Sequence, residues 1–125
     1  MIHAIVRMDM ATDKLNEALQ ILHSIVEQTR EEAGCVSCSV YQDTEMENQI
    51  VFAQEWRNEE DLQRHLRSEE YQKVLLVMEM ARTPPEIRFD TINKTFGIEY
   101  IEKARMTKRN EPQGVEPEIP DGGEE

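Results

Sequence analysis

Nowhere in its 125 residues does the chain hold an apolar run long enough to cross a bilayer. Its first ten residues also lack the apolar core of a secretion signal, because Arg7 and Asp9 fall where that core would sit. Cysteine is scarce, with Cys35 and Cys38 the only two. Without an export signal they are expected to stay reduced in the cytoplasm. Positive charge is short as well. Lys and Arg number 14 against 26 Asp and Glu, for a net charge of −12. Nucleic acids and anionic membranes both select clustered positive charge, so neither is expected as a partner. There is one Trp, no evident internal repeat and no recognisable cofactor motif.

What is present reads as one α+β domain with an extension. Ile2, Ala4, Val6 and Met8 alternate with His3, Ile5, Arg7 and Asp9 in a first strand whose second face is mixed. Thr12 is placed to cap a helix over about 12–33, with Asp13 in its first turn and Gly34 where a left-handed stop would fall. Its apolar stripe is Leu15, Ala18, Leu19, Leu22, Ile25, Val26 and Thr29. Strands follow over 36–42 and 49–56, joined by a polar link of hairpin length that predicts antiparallel pairing. In the later strand Ile50, Phe52, Gln54 and Trp56 share one face.

Asn58 then caps a helix opening on Glu59, Glu60 and Asp61, which carries Leu62, His65 and Leu66 on one side. Ser68 followed by Glu69 and Glu70 predicts a break and restart, the second piece presenting Tyr71, Val74, Leu75, Met78 and Ala81. Pro84 and Pro85 end the helix, and 86–92 reads as a fourth strand. The order β-α-β-β-α-β predicts a ferredoxin-like domain over 1–92, two helices covering one face of an antiparallel sheet. Apolar residues at both parities require cover on the other face too, most simply by a second copy. Residues 93–109 read equally as a short strand through Phe96, Ile98 and Tyr100 or as a helix towards Ala104. Over 110–125 six acids stand among prolines and glycines with no Lys or Arg, the composition of a disordered tail.

The two cysteines carry neither zinc nor redox chemistry on this reading. Zinc needs two further ligands, and there is no second Cys pair. In an extended strand, residues three apart point to opposite faces, which is poor geometry for a disulfide. No metal is expected.

The spaced pattern Gly34-Cys35, Val40-Tyr41-Gln42-Asp43, Glu55-Trp56 and then His65-Leu66, Ser68 and Tyr71 resembles the antibiotic-biosynthesis monooxygenase domain family. That family includes quinol monooxygenases that work without cofactors. The resemblance implies a dimeric α/β barrel of two subunits packed sheet to sheet, each with a pocket between sheet and helices. Haem-degrading members carry an Asn in the first strand, a Trp at the position of His65 and a ligating His at that of Leu75. None of these is met here, which argues against haem degradation.

Cofactor-free oxygenation turns a phenol or quinol into an anion able to give an electron to O₂. The protein then supplies a base near neutral pH, donors for the phenolate and a dry cavity. His65 is the candidate base, and Trp56 offers a ring wall with an N–H donor. Phe52 would extend the wall, Tyr71 would bond a quinol oxygen, and Arg7 or Arg57 would stabilise an anion. Each has a plainer reading: His65 as a hydrogen-bonded core histidine, Trp56 as packing, the arginines as surface charge. His3 and His23 are assigned nothing. The leading expectation is therefore a cytoplasmic homodimeric quinol or polyphenol monooxygenase. Its alternative is a non-catalytic dimeric binding or stress-response module with the same pocket. Isomerisation of a phosphorylated sugar would ask for a more cationic pocket.

Overall fold

The structure, a computed structural model, describes residues 1–110. Its elements are β1 (Ile2–Asp9), α1 (Thr12–Arg30), β2 (Cys35–Gln42), β3 (Gln49–Trp56), α2 (Glu59–Leu66), α3 (Tyr71–Glu79), β4 (Glu86–Thr91) and α4 (Ile98–Asn110). The four strands form one antiparallel sheet in the order β2-β3-β1-β4. This is the ferredoxin-like α+β arrangement. The first of two compact units ends at Thr91. In the second, the choice left open by the sequence falls to helix, as α4, and the ring of Phe96, just before it, lies 5.3 Å from that of Tyr100. The acidic tail expected over 110–125 lies, beyond Asn110, outside the described residues.

Alternation decides which face of the sheet is covered. Ala4, Val6 and Met8 of β1 pair in register with Gln54, Phe52 and Ile50 of β3, and all six are buried beneath the helices. From α1 come Ala18, Leu22, Ile25 and Val26, and from α3 Tyr71, Val74 and Val77, into the same core. Along α3 the buried stripe is Tyr71-Val74-Val77, so Leu75, expected inside, stands about half exposed. On the opposite sheet face, His3, Ile5, Arg7, Ser37, Ser39, Tyr41, Val51, Ala53 and Glu55 remain half-buried or exposed.

Local details differ from the expected caps. Ala11, not Thr12, occupies the cap position of α1, and the Thr12 hydroxyl instead accepts a bond from Asn48 Nδ2 at 3.2 Å. The helix ends at Arg30, and a turn over 31–34 follows before β2 begins. Gly34 has the expected left-handed conformation, φ +85°, but it serves this turn rather than the helix end. The Asn58 cap forms as expected, its Oδ1 accepting from Asp61 N at 2.8 Å. Ser68 also bonds at the break, its Oγ accepting from Tyr71 N at 3.3 Å.

A β-bulge at Val36 shifts the register so that Cys35 pairs with Trp56 while Cys38 pairs with Gln54. Both cysteines therefore sit on the helix-covered face, where simple alternation placed them on opposite faces. They are free thiols, and burial pushes that of Cys38 up to about 11. Such a thiol is a poor nucleophile at neutral pH.

Gly34 lies in close contact with α2. A Cβ there would run into the Asp61 side chain on α2, and the left-handed backbone disfavours any side chain besides. Gly34→Ala is expected to cost about 2 kcal/mol, a fall in Tm of roughly 10 °C by thermal melting. Removal of the cap in Asn58→Ala is expected to cost about 1 kcal/mol.

Candidate functional site

Two chain connections converge on His65. Strand β3 ends at Trp56, and only Arg57 and Asn58 separate it from α2, so the helix folds straight back over the strand it follows. From the other side comes the turn after α1. Its Gly34 carbonyl accepts from Arg57 N at 2.8 Å, which pins the turn to the strand–helix junction. Because Gly34 has no side chain, the turn closes against Asp61 and carries Glu32 up to the imidazole.

His65 is 1% exposed, and both of its ring nitrogens are paired. Nδ1 lies 3.0 and 3.1 Å from the two carboxylate oxygens of Glu32. Nε2 lies 3.0 Å from Gln54 Nε2. The Trp56 indole N–H, which can only donate, reaches Gln54 Oε1 at 3.4 Å and so fixes which end of that amide faces the histidine. With a carboxylate on one nitrogen and an amide N–H on the other, the neutral ring carries its proton on Nδ1 and accepts at Nε2. The imidazole lies 4.7 Å from the Trp56 ring and meets Tyr71 edge-on at 5.2 Å. Burial pushes the Tyr71 phenol up from its ordinary value, so it stays protonated.

The structure thus brings together His65, Trp56 and Tyr71. Phe52 faces the same side of the sheet, wholly buried in the main core. Arg7 is not brought to the site: it lies on the uncovered sheet face, 3.5 Å from Glu86. Arg57 is exposed at the strand–helix junction. Glu32 and Gln54 are the members that sequence reasoning missed. Gln54 had a usable signal, being a polar residue at a core parity between Phe52 and Trp56. Glu32 had none, because its contact with His65 spans 33 residues. Among the described residues no group of three His, Cys, Asp or Glu side chains is placed to hold a metal.

The space expected directly between Trp56 and His65 is filled by side chains. An open groove of about 300 Å³ lies alongside, lined by Ile2, Leu62, Leu66, Phe89 and Thr91 with Glu59 and Gln63. Ile2 and Leu62 also pack in the apolar cluster that contains Trp56, so the groove and the indole share a wall. A second recess of about 310 Å³ opens on the uncovered sheet face, where Glu55 accepts from Ser37 Oγ at 3.1 Å and pairs with His3 Nε2.

Comparison with known proteins finds relatives of the chain. The family model described as antibiotic biosynthesis monooxygenase matches residues 1–75. An uncharacterized protein of Synechocystis, sll1783, is 30% identical over 84 residues, which are 66% of this chain and 57% of that protein. The chain therefore matches little more than half of that relative's length. A conserved protein from Methanosarcina mazei Go1 has a similar structure, with TM-score 0.67 and 27% identity over 71% of this chain and 89% of its own. A Deinococcus radiodurans structure named for the same monooxygenase family has TM-score 0.71 at 18% identity, covering 78% of this chain and 97% of its own. At that identity the likeness is one of fold.

The bond from His3 pulls the Glu55 carboxyl below its ordinary value of 4.5, helped by the bond from Ser37. A depressed carboxylate stabilises the fold above its unfolded value, and that contribution is lost as pH falls through the folded one. The acid-side fall of Tm, followed from about pH 6 down to about pH 3, is expected to be shallower in Glu55→Gln than in the wild type.

Proposed function

The chain belongs to the antibiotic biosynthesis monooxygenase family, and on that footing we propose that it is a cofactor-independent monooxygenase of a small quinol or polyphenol, with His65 as the base. The observation that supports this is the state of His65. Its ring, with Glu32 on Nδ1 and the Gln54 amide on Nε2, is set between two aromatic rings, and an apolar groove shares its Ile2 and Leu62 wall with Trp56. The substrate ring would lie against Ile2, Leu62, Leu66 and Phe89, and a shift of Leu62 would admit its hydroxyl to the imidazole. Deprotonation leaves an electron-rich phenolate able to reduce O₂. A quinol and O₂ then give a hydroxyquinone and water, so the substrate itself supplies all four electrons that reduce O₂. Trp56 backs the groove through Ile2 and Leu62, Phe52 lies away from it in the main core, and Tyr71, kept neutral by burial, is the available O–H donor.

The proposal includes a homodimer in the cytoplasm, formed through the uncovered sheet face. There Ile5, Val51 and Ala53 are half-buried and Tyr41 is 58% exposed, which suits a second copy better than water. Among the described residues no helix is long and apolar enough to cross a membrane. Sedimentation equilibrium is expected to give twice the 14.6 kDa chain mass.

A second reading rests on a different observation. Both imidazole nitrogens have partners and Trp56 is wholly covered, as in a histidine that serves packing alone. On that reading the groove binds a small apolar molecule without chemistry. Oxygen uptake with a panel of quinols and polyphenols separates the two. The proposal expects O₂ consumption equal to product formed, and a loss of about 10²–10⁴ in kcat/KM in His65→Ala. In Leu62→Trp, which fills the groove, KM is expected to rise. Binding without uptake, or an unaffected His65→Ala, would overturn the enzyme reading.

A further inference from the structure

We propose that Glu32 is the positioning residue of the site: it locks His65 in one tautomer and thereby makes Nε2, on the sheet side, the only nitrogen able to take a proton from a bound ligand. The assignment rests on geometry. Both Glu32 oxygens lie on Nδ1, at 3.0 and 3.1 Å. The carboxylate side chain is 27% exposed, whereas that of His65 is fully buried. Water can therefore reach Glu32 but not the ring. A carboxylate accepts and cannot donate, so it holds a proton on Nδ1 in the neutral ring and offsets the charge when the ring gains its second proton, at Nε2.

The groups facing this pair are few. Gln54 and Trp56 come from β3, Tyr71 from α3, and Cys35 and Cys38 from β2. Arg30, at the end of α1, is a further charge nearby, and its guanidinium donates to the Cys38 carbonyl at 2.9 Å. Tyr71 and Cys38 are kept neutral by burial. No other carboxylate in the described hydrogen-bond pattern touches the imidazole, so the lock depends on Glu32.

The lock also narrows the ligand class. Nε2 points at the Gln54 amide, which now donates to it. A ligand must displace that N–H with a donor of its own, so a free hydroxyl is required and a ring carrying only ether oxygens is excluded. The proton moves from the ligand oxygen to Nε2, leaving an oxyanion and an imidazolium paired with Glu32. That proton step, though not the tautomer, rests on the oxygenase reading above.

The test uses the full chain with ¹⁵N-labelled histidine, followed by long-range ¹H–¹⁵N NMR. Wild type is expected to show His65 protonated on Nδ1 and bare on Nε2. Glu32→Leu removes the acceptor and is expected to give a mixture of tautomers. Glu32→Gln retains an acceptor oxygen in the same volume, so it is expected to keep the wild-type pattern. With a quinol as substrate, Glu32→Leu is expected to lower kcat at least about 100-fold with KM within about twofold, and Glu32→Gln to recover part of the loss. A wild-type ring protonated on Nε2, an unchanged tautomer in Glu32→Leu, or an unchanged kcat in that variant would overturn the proposal. Absence of quinol turnover in wild type, with the tautomer locked and released as described, would sink the oxygenase reading and leave the Glu32 assignment standing.

Discussion

An imidazole held in a protein interior has two nitrogens to satisfy, and an unpaired one costs on the order of 1–3 kcal/mol. Around His65 that requirement sets the local design. One partner comes from the strand beneath, because Gln54 sits at a parity otherwise given to Phe52 and Trp56. The other comes from a turn far back in the chain, and it arrives only because Gly34 lets the turn close against α2. The bonds join α1's exit turn, β3 and α2 through one ring. Apolar packing could hold these elements together, but it would not specify which way the ring faces.

The elements themselves were readable in the residues. Alternation in β1 and β3 and the Asn58 cap each have a local physical cause, and each appears where that cause puts it, whereas α3, expected to run on to Pro84 and Pro85, already ends at Glu79. Trp56 and His65 could be brought together on paper because a short link joins a strand parity to a helix face. What escaped was of two kinds. Some features turn on one residue of register: the bulge at Val36 overrides the alternation that separated Cys35 from Cys38. Others are contacts between distant segments, such as Glu32 with His65, to which no periodicity points. Arg7 shows a third cause. Its charge suggested an anion partner, yet its own parity in β1 already placed it on the face away from Trp56.

Charge is distributed unevenly along the chain. The residues through Thr91 are strongly acidic, whereas the extension through Asn110 holds Lys94, Lys103, Arg105, Lys108 and Arg109 against Glu99 and Glu102. Within the sheet, charge collects on the uncovered face, in pairs such as His3 with Glu55 and Arg7 with Glu86. Those pairs frame the apolar patch of Ile5, Val51 and Ala53. The two sides of the sheet therefore obey different rules: one is dry over β1 and β3 and opens only at Ile87 and Phe89 of β4, and the other mixes apolar and ionic groups.

Strand β4 lies at the margin of the sheet, and an unpaired margin is an invitation to endless growth by strand addition from other molecules. Several traits of β4 discourage it. The strand is only 6 residues long. Pro84 and Pro85 stand immediately before it and have no N–H to offer. Glu86, Arg88 and Asp90 alternate along one side and bond one another at 3.1 to 4.0 Å, so an incoming strand would have to desolvate ionic groups already paired. The edge that carries Phe89, a wall of the groove, is thus guarded against strand addition by its own length, prolines and ion pairs.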